Sequence, residues 1–207
     1  MRLYYDSEFV EDGRTIELLS IGMVREDGRE LYLIVGDDHG AVIRAVNNEW
    51  LRDNVVKHLP INVHDHGAPG RRGYRWDWEW EPRHPDFKHV HSRIKVRNRV
   101  RKFVAETPDV QLWADYSAYD HVAYAQLFGR MIELPADCPM DTMNVHQEQL
   151  RLGVPDHELN AALPLNGQVH SAAWDAANAK DKHELLMHIE RKRFHGTGIE
   201  PYSWENR

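Results

Sequence analysis

Two turn signals divide the first 35 residues into three segments with the composition of β-strands. The tripeptides Glu11-Asp12-Gly13 and Glu26-Asp27-Gly28 separate the segments 2–9, 15–24 and 30–35. Acidic residues followed by glycine are typical of the tight turns that join neighbouring antiparallel strands. The pattern predicts two hairpins in a row, and so a three-stranded meander that the rest of the chain must cover and extend.

The remaining chain alternates between helical patterns and one short apolar strand. The strand is predicted at 110–114, directly before a helix, which favours a parallel strand added beside the meander. This order predicts an α/β fold with a ribonuclease-H-like mixed sheet, in which the three-stranded antiparallel meander is extended by parallel strands and flanked by helices. Apolar residues at helical spacing predict helices over residues 48–59, 92–105, 118–128, 144–152 and 171–193.

The segment 60–90 is rich in Pro, Gly, His and Trp, and it is predicted as an irregular insertion in a single domain of residues 1–207. Trp76, Trp78 and Trp80 alternate with acidic residues in this segment. The row fits an exposed aromatic surface for bases, a strand with one buried face, or a dimer contact; burial in a core or an interface is favoured. A polar tail is predicted from about residue 196.

The composition excludes several classes of protein. No apolar run approaches the roughly 18 residues that a membrane-spanning helix needs, and the N-terminus lacks the apolar segment of a signal peptide. The cytoplasm is therefore the expected location. Cys138 is the single cysteine, which rules out an intramolecular disulfide and a tetrathiolate zinc site. The formal net charge of −7 argues against a protein that coats long nucleic acids, but not against one that grips a chain end.

Two local enrichments each allow a functional and a structural interpretation. Residues 83–102 contain eight Lys or Arg and one acid, Asp86, which suits either a groove that tracks RNA or a solvated helix face. Among the fourteen histidines, His64-Asp65-His66 and His89-Val90-His91 form close pairs. Neither has the spaced second pair of a structural zinc site, so surface histidines are the favoured interpretation.

Acidic side chains occur at three points where predicted strands and helices meet. Asp6-Ser7-Glu8 lies near the end of the first strand, and residues two apart in a strand project to the same face. Two desolvated carboxylates repel each other unless a cation pairs them. An isolated pair of this kind is most often a solvated strand end, so its interpretation depends on the other two points.

The second of these junctions contains Asp120, and the third contains His170 and Asp175. Asp120 lies where a helix follows the strand 110–114, a position that the helix dipole also favours for an ordinary acid. His170 directly precedes the long last helix, and Asp175 lies between alanines near the start of that helix. Small side chains would let the helix approach the sheet closely, so that both residues reach one cavity. A surface histidine at a helix start is the simpler alternative.

In this order, the three points resemble the motifs of the DEDD exonuclease superfamily and of its His-bearing subgroup. The superfamily combines an Asp-x-Glu motif, an aromatic-Asp motif after a short strand, and, in this subgroup, a His-x4-Asp motif. The matching residues are Asp6 and Glu8 for the first, Tyr119-Asp120 for the second, and His170 and Asp175 for the third.

Longer stretches are similar to the ribonuclease AS family of bacterial polyadenylate-specific 3′-exoribonucleases. The similarity covers roughly residues 1–35 and 112–136, carried by the runs 5–24 and 118–123, and it does not extend to 60–90. The resemblance implies that the substrate is a single-stranded RNA 3′ end, with A-rich tails preferred. It also implies that nucleoside 5′-monophosphates are the products and that the protein is a homodimer.

The resemblance assigns the metal ligands. Asp6, Glu8, Asp120 and Asp175 would hold two Mg²⁺ ions per active site, and Mn²⁺ is expected to substitute, because carboxylates suit hard cations. Asp6 would bridge both ions, Glu8 and Asp175 would bind one of them, and Asp120 would complete the other site, largely through water. Asp115 is not assigned as a ligand, because the aromatic residue of the motif directly precedes Asp120.

The resemblance also assigns the base and two substrate contacts. His170 would act as the general base, since an unperturbed histidine pKa of about 6.5 suits proton transfer at neutral pH. Ser7 and Phe9 would bind the substrate, with Phe9 against the terminal nucleotide. Three alternatives remain open: a DNA 3′–5′ exonuclease of proofreading type, a catalytically silent RNA-binding protein of the same fold, and a His-rich metal-binding module.

Overall fold

The first three strands form the predicted meander in the computed structural model, which describes residues 1–70, 73–163, 165 and 168–194. Strand β1 (Arg2–Glu11) pairs antiparallel with β2 (Ile16–Arg25), and β2 pairs antiparallel with β3 (Glu30–Val35). Gly13 and Gly28 in the two turns have φ angles of +81° and +86°, which glycine adopts without steric cost. The predicted strands and turns are therefore confirmed.

Three short parallel strands extend the meander on both sides, in the sheet order β6-β3-β2-β1-β7-β8. Strand β7 (Gln111–Ala114) runs parallel to β1, as predicted. Strands β6 (Val90–His91) and β8 (Met143–Asn144) run parallel to β3 and β7, and each is too short to leave a pattern in the sequence. The mixed sheet with its flanking helices confirms the predicted α/β class and is consistent with a ribonuclease-H-like fold.

The described residues form seven α-helices, two more than predicted. The additional ones are α1 and α6, and the helix predicted over 48–59 is α2 followed by a 3₁₀ turn at Val56–His58. Asn48 explains the break after α1, because its side chain accepts a hydrogen bond from the backbone N–H of Leu51 and so starts α2. The helices are α1 (His39–Asn47), α2 (Glu49–Asn54), α3 (Arg93–Ala105), α4 (Ala118–Gln126), α5 (Val145–Leu152), α6 (Asp156–Ala162) and α7 (Ala172–Phe194).

Helices cover both faces of the sheet. On one face, Leu3 and Tyr5 of β1 share a core with Val100 of α3 and with residues of α4. On the other face, Tyr4 of β1 shares a core with Leu186 of α7. Successive β1 side chains point to opposite faces of the sheet. Side chains in the C-terminal half of β1 can therefore contact the helices of either layer.

Helix α7 starts directly against a glycine of β2. A Cβ atom added to Gly22 would lie 2.2 Å from the carbonyl oxygen of Ala172, far inside van der Waals contact, so a residue with a side chain would push the helix away. Ala172 and Ala176 are fully buried in this contact region. Gly22 pairs with Asp6 across the β1–β2 ladder. The predicted close approach is confirmed, and it brings the first turn of α7 beside Asp6.

The segment predicted as an irregular insertion, residues 60–90, contains a β-hairpin instead. Strands β4 (Ile61–Asp65) and β5 (Trp76–Trp80) pair antiparallel in a separate two-stranded sheet. Trp76 and Trp78 pack against the apolar core of α1 and α2. The tryptophan row is therefore a strand with one packed face, which is one of the interpretations left open above.

The described helices do not include one that combines the length and the hydropathy needed to cross a bilayer. Even the 23-residue α7 carries charged residues along its second half. The polar tail predicted from about residue 196 lies outside the described residues.

Candidate active site

Three carboxylates converge where β1 and α7 meet. Strand alternation places Asp6 and Glu8 on one side of β1, and the contact at Gly22 lets α7 begin beside them, with Asp175 in its first turn. Carboxylate oxygens of the three residues all lie within 4.8 Å of one another. This spacing is short enough for the three side chains to bind a common cation.

The fourth acid, Asp120, approaches from the opposite layer. It lies in the first turn of α4, is only 6% exposed, and accepts two hydrogen bonds on Oδ1 from Ser7, one from the backbone N–H at 2.9 Å and one from the hydroxyl at 2.5 Å. Ser7 lies between Asp6 and Glu8 and points to the α4 side of β1. Ser7 therefore fixes the carboxylate of Asp120, which is not part of the metal-spaced group of Asp6, Glu8 and Asp175. The role of Ser7 as a substrate contact stays a prediction.

His170 precedes α7 in a left-handed conformation with φ +69°. Its backbone N–H donates a 2.8 Å hydrogen bond to Oδ2 of Asp175, and its ring meets the ring of Trp50 edge-on, with centroids 4.8 Å apart. The turn before it is held by His58, whose Nε2 donates to the carbonyl oxygen of Val169 at 3.1 Å. These contacts fix the position of His170, which lines the same cavity as the acids.

The cavity has a volume of about 690 Å³ and combines a polar floor with an aromatic mouth. The four acids and His170 form the floor. The rings of Phe9 and Tyr119 stack on one side, with centroids 5.9 Å apart and planes 15° from parallel. Trp50, Tyr116 and Tyr119 line the cavity and are each more than half exposed. A cavity of this size is large enough for a nucleotide, and its exposed rings offer surfaces on which a base can stack.

Burial and mutual repulsion oppose ionisation of these carboxylates. Burial, with the charges of Asp120, Glu8 and Asp175, raises the pKa of Asp6 well above its usual range. Burial, with the charges of Asp175 and Asp120, raises the pKa of Glu8 to about 8. Burial raises the pKa values of Asp120 and Asp175 to about 6, although hydrogen bonds from neighbouring residues lower both. Clustering of carboxylates with raised pKa values is a feature of functional sites.

The four acids lack a cationic partner among the described side chains, because no Lys or Arg forms an ion pair with them. Within the described residues, Asp6, Glu8 and Asp175 are also the one group whose ligand atoms are spaced to hold a metal ion. Buried carboxylates without a counter-charge are costly, and divalent cations with oxygen preference would remove that cost. The residues present therefore fit a divalent metal.

The histidine pairs and the basic stretch 83–102, which the sequence offered as further candidate sites, lie outside this cavity. His64 and His66 are exposed, as expected for surface histidines, whereas His89 and His91 are partly buried. The basic residues of α3 lie on a helix whose inner face packs in the core with Leu3, and no residue of the stretch 83–102 lines the cavity. Of the two interpretations of that stretch, the structure favours the solvated helix face.

Sequence reasoning missed the single Lys or Arg among the described residues that line the cavity. Lys182 of α7 lies two helical turns after Asp175, and its ammonium nitrogen is 2.6 Å from Oδ2 of Asp115. Asp115 itself follows β7 and lines the same cavity, but it does not belong to the carboxylate group. The seven-residue spacing from Asp175 places Lys182 on the same face of the helix, and this signal is present in the sequence.

Comparison with known proteins gives a consistent result. Residues 1–187 match the family model described as the 3′-5′ exoribonuclease Rv2179c-like domain. Two curated proteins of Mycobacterium tuberculosis are each 34% identical over 188 residues, which cover 90% of this chain and 93% of theirs. They are 3′-5′ exoribonuclease Rv2179c of strain ATCC 25618 / H37Rv and 3′-5′ exoribonuclease MT2234.1 of strain CDC 1551 / Oshkosh. With this extent of match, the chain belongs to the family of Rv2179c-like 3′-5′ exoribonuclease domains.

Proposed function

We propose that this protein is a divalent-metal-dependent 3′–5′ exoribonuclease that removes nucleoside 5′-monophosphates from the 3′ ends of single-stranded RNA. The observation that carries the proposal is the convergence of Asp6, Glu8 and Asp175 within 4.8 Å, in a cavity that also contains His170. The relatives named as 3′-5′ exoribonucleases support the direction of cleavage and the substrate. The order of the acidic and histidine motifs supports membership of the His-bearing DEDD subgroup.

The metal ligands in this proposal are the four acids. Asp6, Glu8 and Asp175, whose carboxylate oxygens lie within 4.8 Å of one another, would hold one ion, and the resemblance assigns Asp6 and Asp120 to the other. Two divalent cations, Mg²⁺ or Mn²⁺, would stabilise the attacking and the departing oxygen of an in-line displacement at phosphorus. The protein would supply the orientation of the ligands, since Ser7 holds Asp120 and the N–H of His170 holds Asp175.

His170 is the proposed general base. Burial lowers the pKa of its ring, and the charge of Lys57 lowers it further; both favour the neutral ring, which is the form able to accept a proton. It would take a proton from the water whose oxygen forms the new bond to phosphorus, while the bond to the 3′ oxygen of the preceding nucleotide breaks. The left-handed turn at His170 and the edge contact with Trp50 restrict where the ring points.

The aromatic mouth is the proposed reason for a single-stranded substrate. Exposed rings of Trp50 and Tyr119 flank the cavity, and stacking on such rings requires bases that are not paired in a helix. Phe9, stacked on Tyr119, is the proposed contact of the terminal nucleotide. Preference for A-rich tails and a homodimeric state are proposed from the resemblance to the ribonuclease AS family.

The test uses oligoribonucleotides labelled at the 5′ end, incubated with Mg²⁺, with Mn²⁺ and with EDTA. The proposal predicts a ladder that shortens by one nucleotide at a time, release of nucleoside 5′-monophosphates, and complete arrest by EDTA. Asp6→Asn should abolish the ladder, whereas Asp181→Asn, an exposed acid of α7 outside the cavity, serves as the matched control.

Other results would replace the proposal with a defined alternative. Tight RNA binding without shortening would indicate a silent RNA-binding protein of the same fold. Faster shortening of DNA than of RNA would indicate an exonuclease of proofreading type. Parallel reactions with poly(A), poly(U) and DNA oligomers of equal length therefore test the substrate assignment in the same experiment.

A further inference from the structure

Lys182 and Asp115 form an ion pair in the wall of the active-site cavity. The ammonium nitrogen of Lys182 lies 2.6 Å from Oδ2 of Asp115, and the two side chains are 19% and 22% exposed. The other oxygen, Oδ1, is buried and has no hydrogen-bond donor among the described residues. Lys182 is therefore the one charged partner that the structure gives to Asp115, and the pair holds the ammonium group at a fixed place in the wall.

The charges around the cavity explain why this lysine matters. Six of the lining residues are acids, while Lys182 is the single Lys or Arg among the described residues that line it. Divalent cations would offset the four acids of the floor, but an RNA strand carries one further negative charge at every phosphate. The cations of α3 do not reach the cavity. A phosphate that enters beyond the metal site would thus meet Lys182 as its available positive charge.

The geometry of α7 separates this charge from the metal ligands. Lys182 follows Asp175 by seven residues, which puts both on one face of the helix and roughly 10 Å apart along its axis. Asn178 lies between them and also lines the cavity. An ammonium group has three N–H donors, so Lys182 can keep its bond to Asp115 and still donate to a phosphate. Asp115 need not be left as an unpaired buried charge when substrate binds.

We propose that Lys182 binds a second phosphate of the RNA strand, other than the one that is cleaved, and that Asp115 is the positioning residue that orients its ammonium group. The inference rests on the proposed exonuclease function, because it assigns a subsite of the same active site. If Lys182 binds this phosphate, the affinity for RNA should increase when the strand is long enough to contain a second phosphate.

The direct test compares ApA, which has a single phosphodiester, with ApApA, which has two. The measured quantity is the ratio of kcat/KM for ApApA to kcat/KM for ApA. Lys182→Ala should lower this ratio about tenfold, mainly through KM for ApApA. Lys180→Ala is the matched control, because Lys180 lies on the same helix, pairs with Glu184 and does not line the cavity; it should leave the ratio unchanged.

Asp115 is tested through its coupling to Lys182. Asp115→Asn should lower the ratio by less than Lys182→Ala does, because the ammonium group remains but loses its orientation. The double variant should show no loss beyond that of Lys182→Ala, since residues that act as a unit give non-additive effects. Melting curves check that each variant is folded, and Lys182→Met, which keeps the length of the side chain, replaces the alanine variant if that one does not fold.

A binding measurement separates failure of this inference from failure of the proposed function. In a His170→Ala background with Mg²⁺, the slope of log Kd for a fluorescent oligo(A) against log salt concentration should fall by about 0.7 when Lys182 is replaced by alanine, the change expected for one phosphate contact on a single strand. An unchanged slope, or equal losses on ApA and ApApA, overturns the inference. Failure of the wild-type protein to cleave either substrate instead overturns the proposed function.

Discussion

The floor and the mouth of the cavity are built in opposite ways. The floor acids project from regular elements, β1, α4 and α7, and are fixed by short backbone hydrogen bonds, such as those from Ser7 to Asp120 and from His170 to Asp175. The mouth consists of exposed rings, including Trp50 at 53% and Tyr116 at 63%. Tyr116 lies in a turn with φ +57°. The floor residues are buried or partly buried and hydrogen-bonded, whereas the rings of the mouth are more than half exposed.

This difference assigns different kinds of effect to the two regions. In the proposed mechanism, the side chains of the floor act on the chemical step, because they include the proposed metal ligands and the proposed base. Exposed rings act on substrate binding, because stacking on them is worth about 1–3 kcal/mol per base and requires no change in the floor. Variants of the floor should therefore change kcat, and variants of the mouth should change KM.

The largest loss of activity should follow from replacing His170, the proposed general base in the floor. His170→Ala removes the proposed general base, so kcat should fall by about 10²- to 10⁴-fold, while KM for oligo(A) changes little. Mn²⁺ is expected to raise the melting temperature of this variant as it does that of the wild-type protein in the proposal, because the four acids remain. A His170→Ala protein with normal kcat would remove the base from the mechanism.

A smaller loss should follow when the support of the floor is removed. Ser7→Ala deletes the hydroxyl that donates to Asp120. Asp120 is a proposed metal ligand, and loss of a hydrogen-bond partner of such a ligand typically costs about 10- to 100-fold in activity or metal affinity. Ser117→Ala is the matched control, since Ser117 precedes α4, is also buried and makes no capping hydrogen bond. Equal losses in the two variants would mean that Ser7 acts through stability alone.

The mouth should respond through KM. Trp50→Ala should raise KM for oligo(A) about tenfold, because it removes one stacking surface, and it should change kcat by less than that. Trp50 also contacts the ring of His170, so a loss confined to kcat would show that it orients the base instead of binding the substrate. Trp50→Phe keeps an aromatic face and should recover most of the binding.

The smallest expected effect is a pH-dependent change in stability that belongs to the floor alone. The pKa of Glu8 is raised to about 8 in the folded protein, whereas its pKa in the unfolded chain is about 4.3. The folded state thus binds this proton more tightly, and the Glu8 contribution to stability without metal falls as pH rises from about 4 to about 8. In EDTA, Glu8→Gln should melt a few degrees above wild type at pH 8 and close to it at pH 5.

If the difference in melting temperature between Glu8→Gln and the wild-type protein became smaller as pH rises, this assignment of the Glu8 pKa would be contradicted. Added Mn²⁺ at pH 8 should reverse the order and favour the wild-type protein, because the ionised carboxylate then has a cation to bind. Trp50→Ala, a variant of the mouth, is the comparison. The difference between its melting temperature and that of the wild-type protein should not change with the ionisation of Glu8.

The sequence predicted most of the floor and little of the mouth, for a physical reason. The resemblance to the DEDD motifs predicted Asp6, Glu8 and Asp175 as ligands. Strand alternation and the small residues of α7 predicted only that these side chains could lie close together. These are local patterns with a fixed geometry. Trp50 and Tyr116 reach the cavity only through tertiary packing, since one lies in a short helix after α1 and the other lies in a turn before α4.

The errors in the fold have similar causes. Helix α1 was missed although Asp38 caps it by accepting from the N–H of Ala41 and its apolar residues fall at helical spacing; a short helix between turn-like residues is a weak signal. The hairpin of β4 and β5 was missed because its strands are joined by a segment rich in Gly and Pro, and because β5 packs in part on α1, a helix that the prediction lacked.

The most direct test of the account measures how many divalent cations the protein binds. Titration of metal-free wild-type protein with Mn²⁺, followed by calorimetry or by the electron paramagnetic resonance signal of free Mn²⁺, should give two ions per chain in the presence of nucleoside 5′-monophosphate. Glu8→Gln should bind fewer ions or bind them at least tenfold more weakly, and Asp181→Asn should match wild type. Binding of Mn²⁺ that is equally tight in wild type and Glu8→Gln would contradict the claim that these converging carboxylates form the metal site.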